Sequence, residues 1–589
     1  MLRFHHSRRS FIRDSTCLAL AASTGSMANA FQEQLPGMPA QADGIARATV
    51  AQGKRGVVAT VHPLASQAAI AAFERGGNAI DAAVAASLML SVVDGHNSGI
   101  GGGCLALIRN STGQVIAIDG REKAPQSGTP EMFFRNGKPD PDLSREGPLA
   151  AGVPGLLAAL DALRKEFGRL PWQDALNQAA LVAEKGFVLT DDYAGRLDSV
   201  ASSLAHYPSS AKILLNKAGQ PWKTGDVLRQ TDLAKTLRFI SEQGVDWFYR
   251  GPFAQMTEKM MQDSGGQLRV TDFEKYNVVL REPVSSTYRG KTVLGCPPPS
   301  SGGIHVAQML GMLVGFDVHQ IFQNNRVQGL HLLLEVMKRA MADRAHWLGD
   351  ADFTAVPKSL LDADYLRMRA SSIDLMHATK VESFGIPPRA DRDLFGAGGH
   401  TTHLTTADSE GNLVALTQTI NTTFGCKMIV PGTGVVLNNE MDDFSIAPGV
   451  RNAFGLVGSK ANVIEPEKRP LSSMSPTIVL NEEGQPVLSC GAAGGPKIIT
   501  SVLQVLVGVL DLGLTIDQAI AAPRVHHQWS PDSATCETAL GSRSIAQLQE
   551  LGHETHRISS AAVAQGVAVA EGRLTAASDP RVASACLAW

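Results

Sequence analysis

The chain of 589 residues contains no C-x-x-C pair and no Cys/His cluster with zinc-finger spacing. Beyond residue 30 its six cysteines (Cys104, Cys296, Cys426, Cys490, Cys536 and Cys586) stand far apart. They read as buried thiols rather than as a disulfide framework. Past the same point no uncharged apolar run approaches the ~20 residues that span a bilayer, so no membrane span is expected. There is no long basic block and the formal net charge is −3, which argues against nucleic acid as a partner. Two nucleotide signatures fail. The glycine-rich stretch "NSGIGGGCLALI" (97–108) has Cys104 where G-x-G-x-x-G needs glycine, and it precedes a strand rather than a helix. "GKT" (290–292) has Ser285 where a phosphate loop needs its first glycine. No G-x-S-x-G elbow and no Ser-His-Asp order occurs, no repeat has a fixed period, and no metal or organic cofactor is called for.

What is present is an ordinary globular composition, 44% hydrophobic and 19% charged, with glycines and prolines dispersed among apolar segments. The N-terminus stands apart. "SRRSFIR" (7–13), the short apolar run "CLALAAS" and the small-residue site Ala28-Asn29-Ala30 read as a signal peptide over residues 1–30. Arg8-Arg9 followed by Ser10, Phe11 and Ile12 has the form of a twin-arginine export signal. That implies a protein exported already folded to the periplasm, and a mature chain more acidic than the precursor.

Along the chain, "GVVATVHPLAS" reads as a strand and turn. Ala-rich helices follow over 64–75 and 78–93, separated by Gly76-Gly77 and started by Asn78. The glycines of 97–108 suggest a backbone that must pass close to something. The region 150–380 reads as mostly helical by its spacing of three and four. Within it, His331 and Glu335 read as a solvent-facing pair, with no third metal ligand at useful spacing. His526-His527 read as structural. From 401 the texture becomes strand-rich: "TTHLTTAD" and "LVALTQTIN" form a hairpin across "SEGN", "GVVLNN" and "SPTIVLNEEGQPVLSCG" add strands, and "GGPKIITSVLQVLVGVLDLG" is a helix entered through glycines.

The hairpin begins with a Thr-Thr pair after the flexible stretch "GAGGH" (396–400). A threonine hydroxyl needs an adjacent base before it can attack a carbonyl. If the His400–Thr401 bond is cut, Thr401 gains an α-amine that titrates near pH ~8 and can take the hydroxyl proton. Without a cut, a threonine here is simply a β-branched strand residue.

Several motifs sharpen this. In order stand "SGIGGG", "DGREKAP", "CPPPSSGGIHVAQML", "TTHLTTADSEGNLVALTQTINTTFG", "LNNEMDDFS", "RPLSSMSPTIV", "GAAGGPKIIT" and "APRVHHQW". Together they resemble the γ-glutamyltranspeptidase (glutathione hydrolase) family of N-terminal nucleophile hydrolases, from about residue 54 to the C-terminal "ASDPR". The resemblance implies an α/β (α+β) fold, a four-layer αββα sandwich made from one precursor. Residues 31–400 would form the large subunit and 401–589 the small one, intertwined as a heterodimer with the hairpin central in a sheet.

It also implies roles. Thr401 would be nucleophile and, through its amine, base, released by cleavage after His400. Thr419 would orient it, and Gly494 and Gly495 would supply oxyanion N–H groups. Arg121, Ser472 and Ser473 would hold the α-carboxylate of a γ-glutamyl group. Asp443, Glu440 and Asn421 would hold its ammonium. Thr402 and His403 are expected to serve packing and strand geometry. The implied partners are glutathione or another γ-glutamyl compound as donor, and water, an amino acid or a peptide as acceptor. The chain departs from the family pattern at "GAAGGP" (491–496), where "GSPGG" is frequent. It departs again at Phe454 of the lid-like segment 448–459, where many members carry tyrosine. Two other readings share the fold: a cephalosporin or glutaryl acylase, and an uncleaved amino-acid-binding homologue.

Overall fold

A computed structural model of the chain describes residues 47–388, 402–447 and 449–589. The signal segment and the expected cleavage site, His400 and Thr401, lie outside the described residues.

Two seven-stranded sheets carry the architecture. Their strands, in chain order, are β1 (Thr49–Gly53), β2 (Gly56–Thr60), β3 (Gly103–Arg109), β4 (Val115–Gly120), β5 (Val279–Arg281), β6 (Val284–Tyr288), β7 (Lys291–Gly295), β8 (His403–Asp408), β9 (Leu413–Thr419), β10 (Thr477–Leu480), β11 (Pro486–Ala493), β12 (Val563–Ala570), β13 (Arg573–Ser578) and β14 (Ala585–Ala588). One sheet runs β1-β13-β12-β11-β10-β7-β6 and the other β14-β2-β8-β9-β3-β4-β5. All pairings within them are antiparallel. Each sheet mixes strands from before and after residue 400.

Strand alternation sorts the side chains into layers. Val57 and Ala59 of β2, Leu105 and Leu107 of β3, and Leu413 and Ala415 of β9 face the other sheet, where they meet Ile478, Val567 and Ala576. The intervening residues Val58, Ala106, Ile108, Val414 and Leu416 turn outward onto helices α1 (Pro63–Glu74) and α2 (Ala79–Val93). The first sheet turns Val293, Val479, Leu488 and Cys490 onto helices α3 (Gly302–Leu313), α4 (Val318–Asn324), α5 (Arg326–Trp347), α6 (Lys497–Leu510) and α7 (Ile516–Ala521). This is the αββα sandwich.

The β8–β9 hairpin occupies the two positions next to the edge pair β14-β2, well inside its sheet. Its turn is fixed by Asp408, whose Oδ1 accepts the N–H groups of Glu410 (3.0 Å) and Asn412 (3.1 Å). Asp408 Oδ2 accepts the Ala79 N–H (2.8 Å) at the start of α2. All of α2 is buried, so its small side chains let it lie flat between hairpin and outer helices. Asn78 and Asp81 form its capping box.

Three expectations change. "GVVLNN" is no strand: it makes an isolated bridge, Ile429–Val436, because Gly432 and Gly434 turn the chain with φ of 77° and 71°. The helical middle region contains β5–β7, whose run is broken by Pro283 and Gly290. His331 and Glu335 are fully buried rather than solvent-facing. The six cysteines are buried thiols.

Burial holds the imidazoles of His305, His403 and His526 far below their usual range, at about 3. A histidine kept neutral by the fold contributes stability above its unfolded pKa of ~6.5. That contribution is lost as pH falls toward the folded value. The melting temperature is therefore expected to fall steadily from pH 7 to pH 4, each such histidine weighing about 1.4 kcal/mol per pH unit. A flat thermal-shift profile over that range would contradict the neutral, buried assignment.

Candidate active site

Thr402 enters β8 fully buried and donates its hydroxyl to Asp94 Oδ2 (3.3 Å). Asp94 caps the end of α2. Burial raises the pKa of its carboxyl, while neighbouring His96 and Asn97 act the other way. His403 points between the sheets, its Nδ1 3.0 Å from Thr417 Oγ1. Its ring fills the space left by Gly491, where a Cβ would lie 2.4 Å away.

Thr419 ends β9, and its Oγ1 accepts the Asn421 N–H at 2.6 Å. The glycine-rich run packs behind it. A Cβ on Gly102 would sit 1.7 Å from the Thr419 carbonyl oxygen, and one on Gly101 2.0 Å from that of Val436. This is the close approach that the sequence suggested. Gly494 and Gly495 follow β11 with φ of 144° and 59°, conformations that favour glycine, and they lead into α6. The aromatic ring of Phe454 lies against Gly495, 2.7 Å from where a Cβ would be. A cavity of about 280 Å³ is bordered by Thr402, Asp94, His96, Asn421, Gly494, Gly495 and Phe454.

A second group gathers around Arg121, which is completely buried. Its Nη1 lies 3.0 Å from Glu122 and 2.5 Å from Glu440, its Nη2 2.7 Å from Asp443, and its Nε donates to the Pro470 carbonyl (3.3 Å). Burial opposes the guanidinium charge, but Glu440, Glu122 and Asp443 together raise its pKa above the ordinary arginine value. Burial and the charge of Glu440 push the carboxyls of Glu122 and Asp443 well up, with Arg121 pulling them down. One cation thus faces three carboxylates. Asn421 Oδ1, Glu122 Oε1 and Glu440 Oε1 are buried and accept no hydrogen bond. Ser472 Oγ accepts the Met474 N–H (3.0 Å), and Ser473 Oγ accepts Arg344 Nη2 (3.3 Å).

The lid-like segment joins the two groups. Asn452 Nδ2 donates to Asp443 Oδ1 (3.3 Å), Ala453 N donates to Asp442 (2.7 Å), and the next residue is Phe454 over Gly495. The expected residues Asn421, Gly494 and Gly495 therefore meet at the cavity, with Thr419 behind Asn421. Arg121, Glu440, Asp443, Ser472 and Ser473 meet beside it.

The sequence reading missed Glu122, Asp94, His96 and Arg344. The first sits within "DGREKAP" and the next two within "VVDGHNSG". Arg344 was hidden in the helical periodicity of α5. It is buried, donates to Ser301 Oγ (2.9 Å) as well as to Ser473, and is lowered to about 10 by burial, with Asp443 acting against the shift.

His331, Glu335 and His553 are the one trio of possible metal ligands among the described residues. His331 Nδ1 bonds His553 Nε2 at 2.7 Å, and Glu335 is taken by Lys338 (3.0 Å) and Arg339 (2.8 Å). With two cations already on its carboxylate, the trio is a hydrogen-bonded core network.

The γ-glutamyltranspeptidase family model matches residues 65–589. The chain belongs to the γ-glutamyltranspeptidase family. The glutathione hydrolase proenzyme of Escherichia coli K12 is 39% identical over 90% of this chain and 91% of its own length. Among solved structures, a cephalosporin acylase from Bacillus halodurans superposes with a TM-score of 0.82 at 27% identity, covering 95% of this chain and 99% of that one. The γ-glutamyltranspeptidase of Helicobacter pylori gives 0.52 at 34% identity, covering 60% and 97%. The protein is an enzyme of the N-terminal nucleophile hydrolase fold.

Replacing Arg121 by Met leaves three buried carboxylates without their shared cation. Breaking such a pairing costs about 3–5 kcal/mol. Carboxyls whose folded pKa is raised favour the fold at low pH and weaken it as pH rises through the folded value. Arg121→Met should therefore be less stable at pH 8 than at pH 5, opposite to the trend set by the histidines. Melting curves at the two pH values check the sign.

Proposed function

We propose that the protein is a self-maturing γ-glutamyl hydrolase and transferase, acting on glutathione or another γ-glutamyl amide with Thr401 as nucleophile. The observation that carries this reading is the acid-rich cluster at Arg121. Glu440, Asp443 and Asn421 offer buried acceptors with an excess of negative charge, the complement of an α-ammonium. Arg121, Ser472 and Ser473, backed by Arg344, face the α-carboxylate. A glutaryl group has no ammonium, so the same cluster disfavours the acylase reading despite the close superposition on a cephalosporin acylase.

The hairpin pairing begins at His403–Thr417, and Thr419, which closes β9, would orient Thr401. In maturation, Thr401 Oγ1 attacks the His400 carbonyl, the peptide C–N bond breaks to leave an ester and the free Thr401 α-amine, and water then hydrolyses the ester to release the Thr401 hydroxyl and the His400 carboxylate. In turnover, that amine takes the hydroxyl proton as Oγ1 attacks the γ-carbonyl. The N–H groups of Gly494 and Gly495, at the entrance to α6, face the developing oxyanion. The collapsing intermediate expels the amine, which leaves with the proton. The γ-glutamyl ester then passes to water or to an acceptor amine. Phe454 cannot donate the hydroxyl hydrogen bond that tyrosine offers at this position; its ring lies against Gly495. The twin-arginine signal at Arg8-Arg9 would deliver the folded chain to the periplasm, where residues 31–400 and 401–589 persist as two subunits. Among the described residues no helix is long and apolar enough to cross a membrane.

Intact mass and N-terminal sequencing of purified protein should give two chains, the smaller beginning Thr-Thr-His. Thr401→Ala should remain one chain and lack activity, and processed, active Thr401→Ala protein overturns the assignment. On paired anilide substrates, γ-glutamyl-p-nitroanilide should be cleaved at least 100-fold faster than glutaryl-p-nitroanilide. The reverse order makes the enzyme an acylase.

A further inference from the structure

A second cavity, of about 110 Å³, opens on the far side of the first sheet's helical layer. It lies between α4, the first turns of α5, the second half of α6 and the loop beyond it. Its walls are Phe322, Leu330, Leu333, Val507, Leu512 and Leu514. One formal cation, Arg326, lines it, and no carboxylate does.

The polar groups around the cavity are accounted for, except one. His319 Nδ1 bonds the Asp511 carbonyl (3.0 Å), and Gln323 Nε2 meets His319 Nε2 (2.5 Å). Gln504 bonds the backbone of Thr500 and Val525 through both ends of its amide. Arg326 alone has no hydrogen-bond or ion-pair partner among the described residues. It is half-buried, and burial lowers its pKa with no neighbouring anion acting to raise it. Elsewhere buried arginines have partners: Arg121, Arg339 and Arg524 each hold a carboxylate, Arg344 donates to Ser301 and Ser473, and Arg109 to the Gly411 and Gly484 carbonyls.

We propose that this cavity is a binding site, separate from the catalytic one, for a small free carboxylic acid with a compact apolar tail, aromatic or short-chain aliphatic. An apolar cavity of roughly 150 Å³ encloses a benzene ring; at about 110 Å³ this one is smaller and open on one side, so it suits a short aliphatic tail or a single ring seated only part-way in. The planar fork of Arg326 at its edge matches a carboxylate bidentately. Arg326 is also the first residue of α5, a helix of 22 residues, and the positive end of that helix dipole adds to the attraction for an anion. Apolar walls and a single uncompensated cation select against an uncharged hydrocarbon and against a zwitterion, whose ammonium would meet Arg326 with no carboxylate to offset it. The γ-glutamyl substrate of the catalytic site is thereby excluded.

Benzoate and hexanoate, titrated calorimetrically into the full purified protein, are the probes, with benzyl alcohol as the uncharged control. Saturable one-to-one binding of benzoate is expected. It should weaken at least tenfold in Arg326→Leu and in Leu512→Trp, which fills the cavity. Both variants should keep the parent melting temperature and γ-glutamyl hydrolysis rate, which sets the loss apart from the catalytic site. Arg326→Gln carries the same test if Arg326→Leu does not fold. The proposal is overturned if benzoate shows no saturable binding, if it binds Arg326→Leu as well as the parent, or if benzyl alcohol binds as tightly as benzoate.

Discussion

A guanidinium removed from water costs several kcal/mol unless carboxylates surround it closely. Arg121 is held by three. They come from its own neighbour and from the short turn Glu440–Asp443, on the other side of residue 400. Its backbone carbonyl accepts the Tyr276 hydroxyl (2.6 Å), and its Nε reaches Pro470. Four distant stretches of chain are thus fixed by one residue. The arrangement oversupplies negative charge, and the proposed recognition of an ammonium-bearing ligand rests on that imbalance. Asn462 Nδ2 on the Asp443 carbonyl (2.6 Å) and Asn452 on its side chain extend the same order into the segment that covers Gly495.

The Thr402–Thr419 end of the candidate site depends on close backbone approach rather than on charge. Gly102 lies against the Thr419 carbonyl and Gly491 against the His403 ring. The first contact brings the loop before β3 onto the end of β9. The second locks β8 of one sheet to β11 of the other. Larger residues at either place would separate the layers that Thr402 and Thr419 need to share. The expectation that His403 serves packing is met by its neutral, buried ring.

Much of this was readable in the sequence, because local rules and the global fold agree there. Asn78 marked the start of α2, the "SEGN" turn marked the β8–β9 hairpin, and the Gly-Gly entry marked α6. Motif order supplied the αββα layering and the grouping of Arg121 with Asp443, which spacing alone cannot give across hundreds of residues. What stayed hidden was tertiary. Arg344 looked like any residue on the polar side of a helix until the helix proved buried on all sides. His331 and Glu335 looked solvent-facing for the same reason. β5–β7 were masked by the helices on either side, and "GVVLNN" has the composition of a strand while its flanking glycines turn away from any partner.

Each sheet joins strands from both sides of residue 400: β2 pairs with β8, β3 with β9, β7 with β10, and β1 with β13. A cut at that point severs the chain without parting any strand from its neighbours. It also erases the covalent memory of how the fold was reached. The intact precursor closes its long-range pairings as one molecule, whereas the cut pieces would have to find each other by diffusion, with fourteen interleaved strands exposed meanwhile. Maturation would therefore act as a ratchet: an enzyme unfolded after the cut is lost to aggregation, and its working lifetime is set by the height of its unfolding barrier rather than by its equilibrium stability.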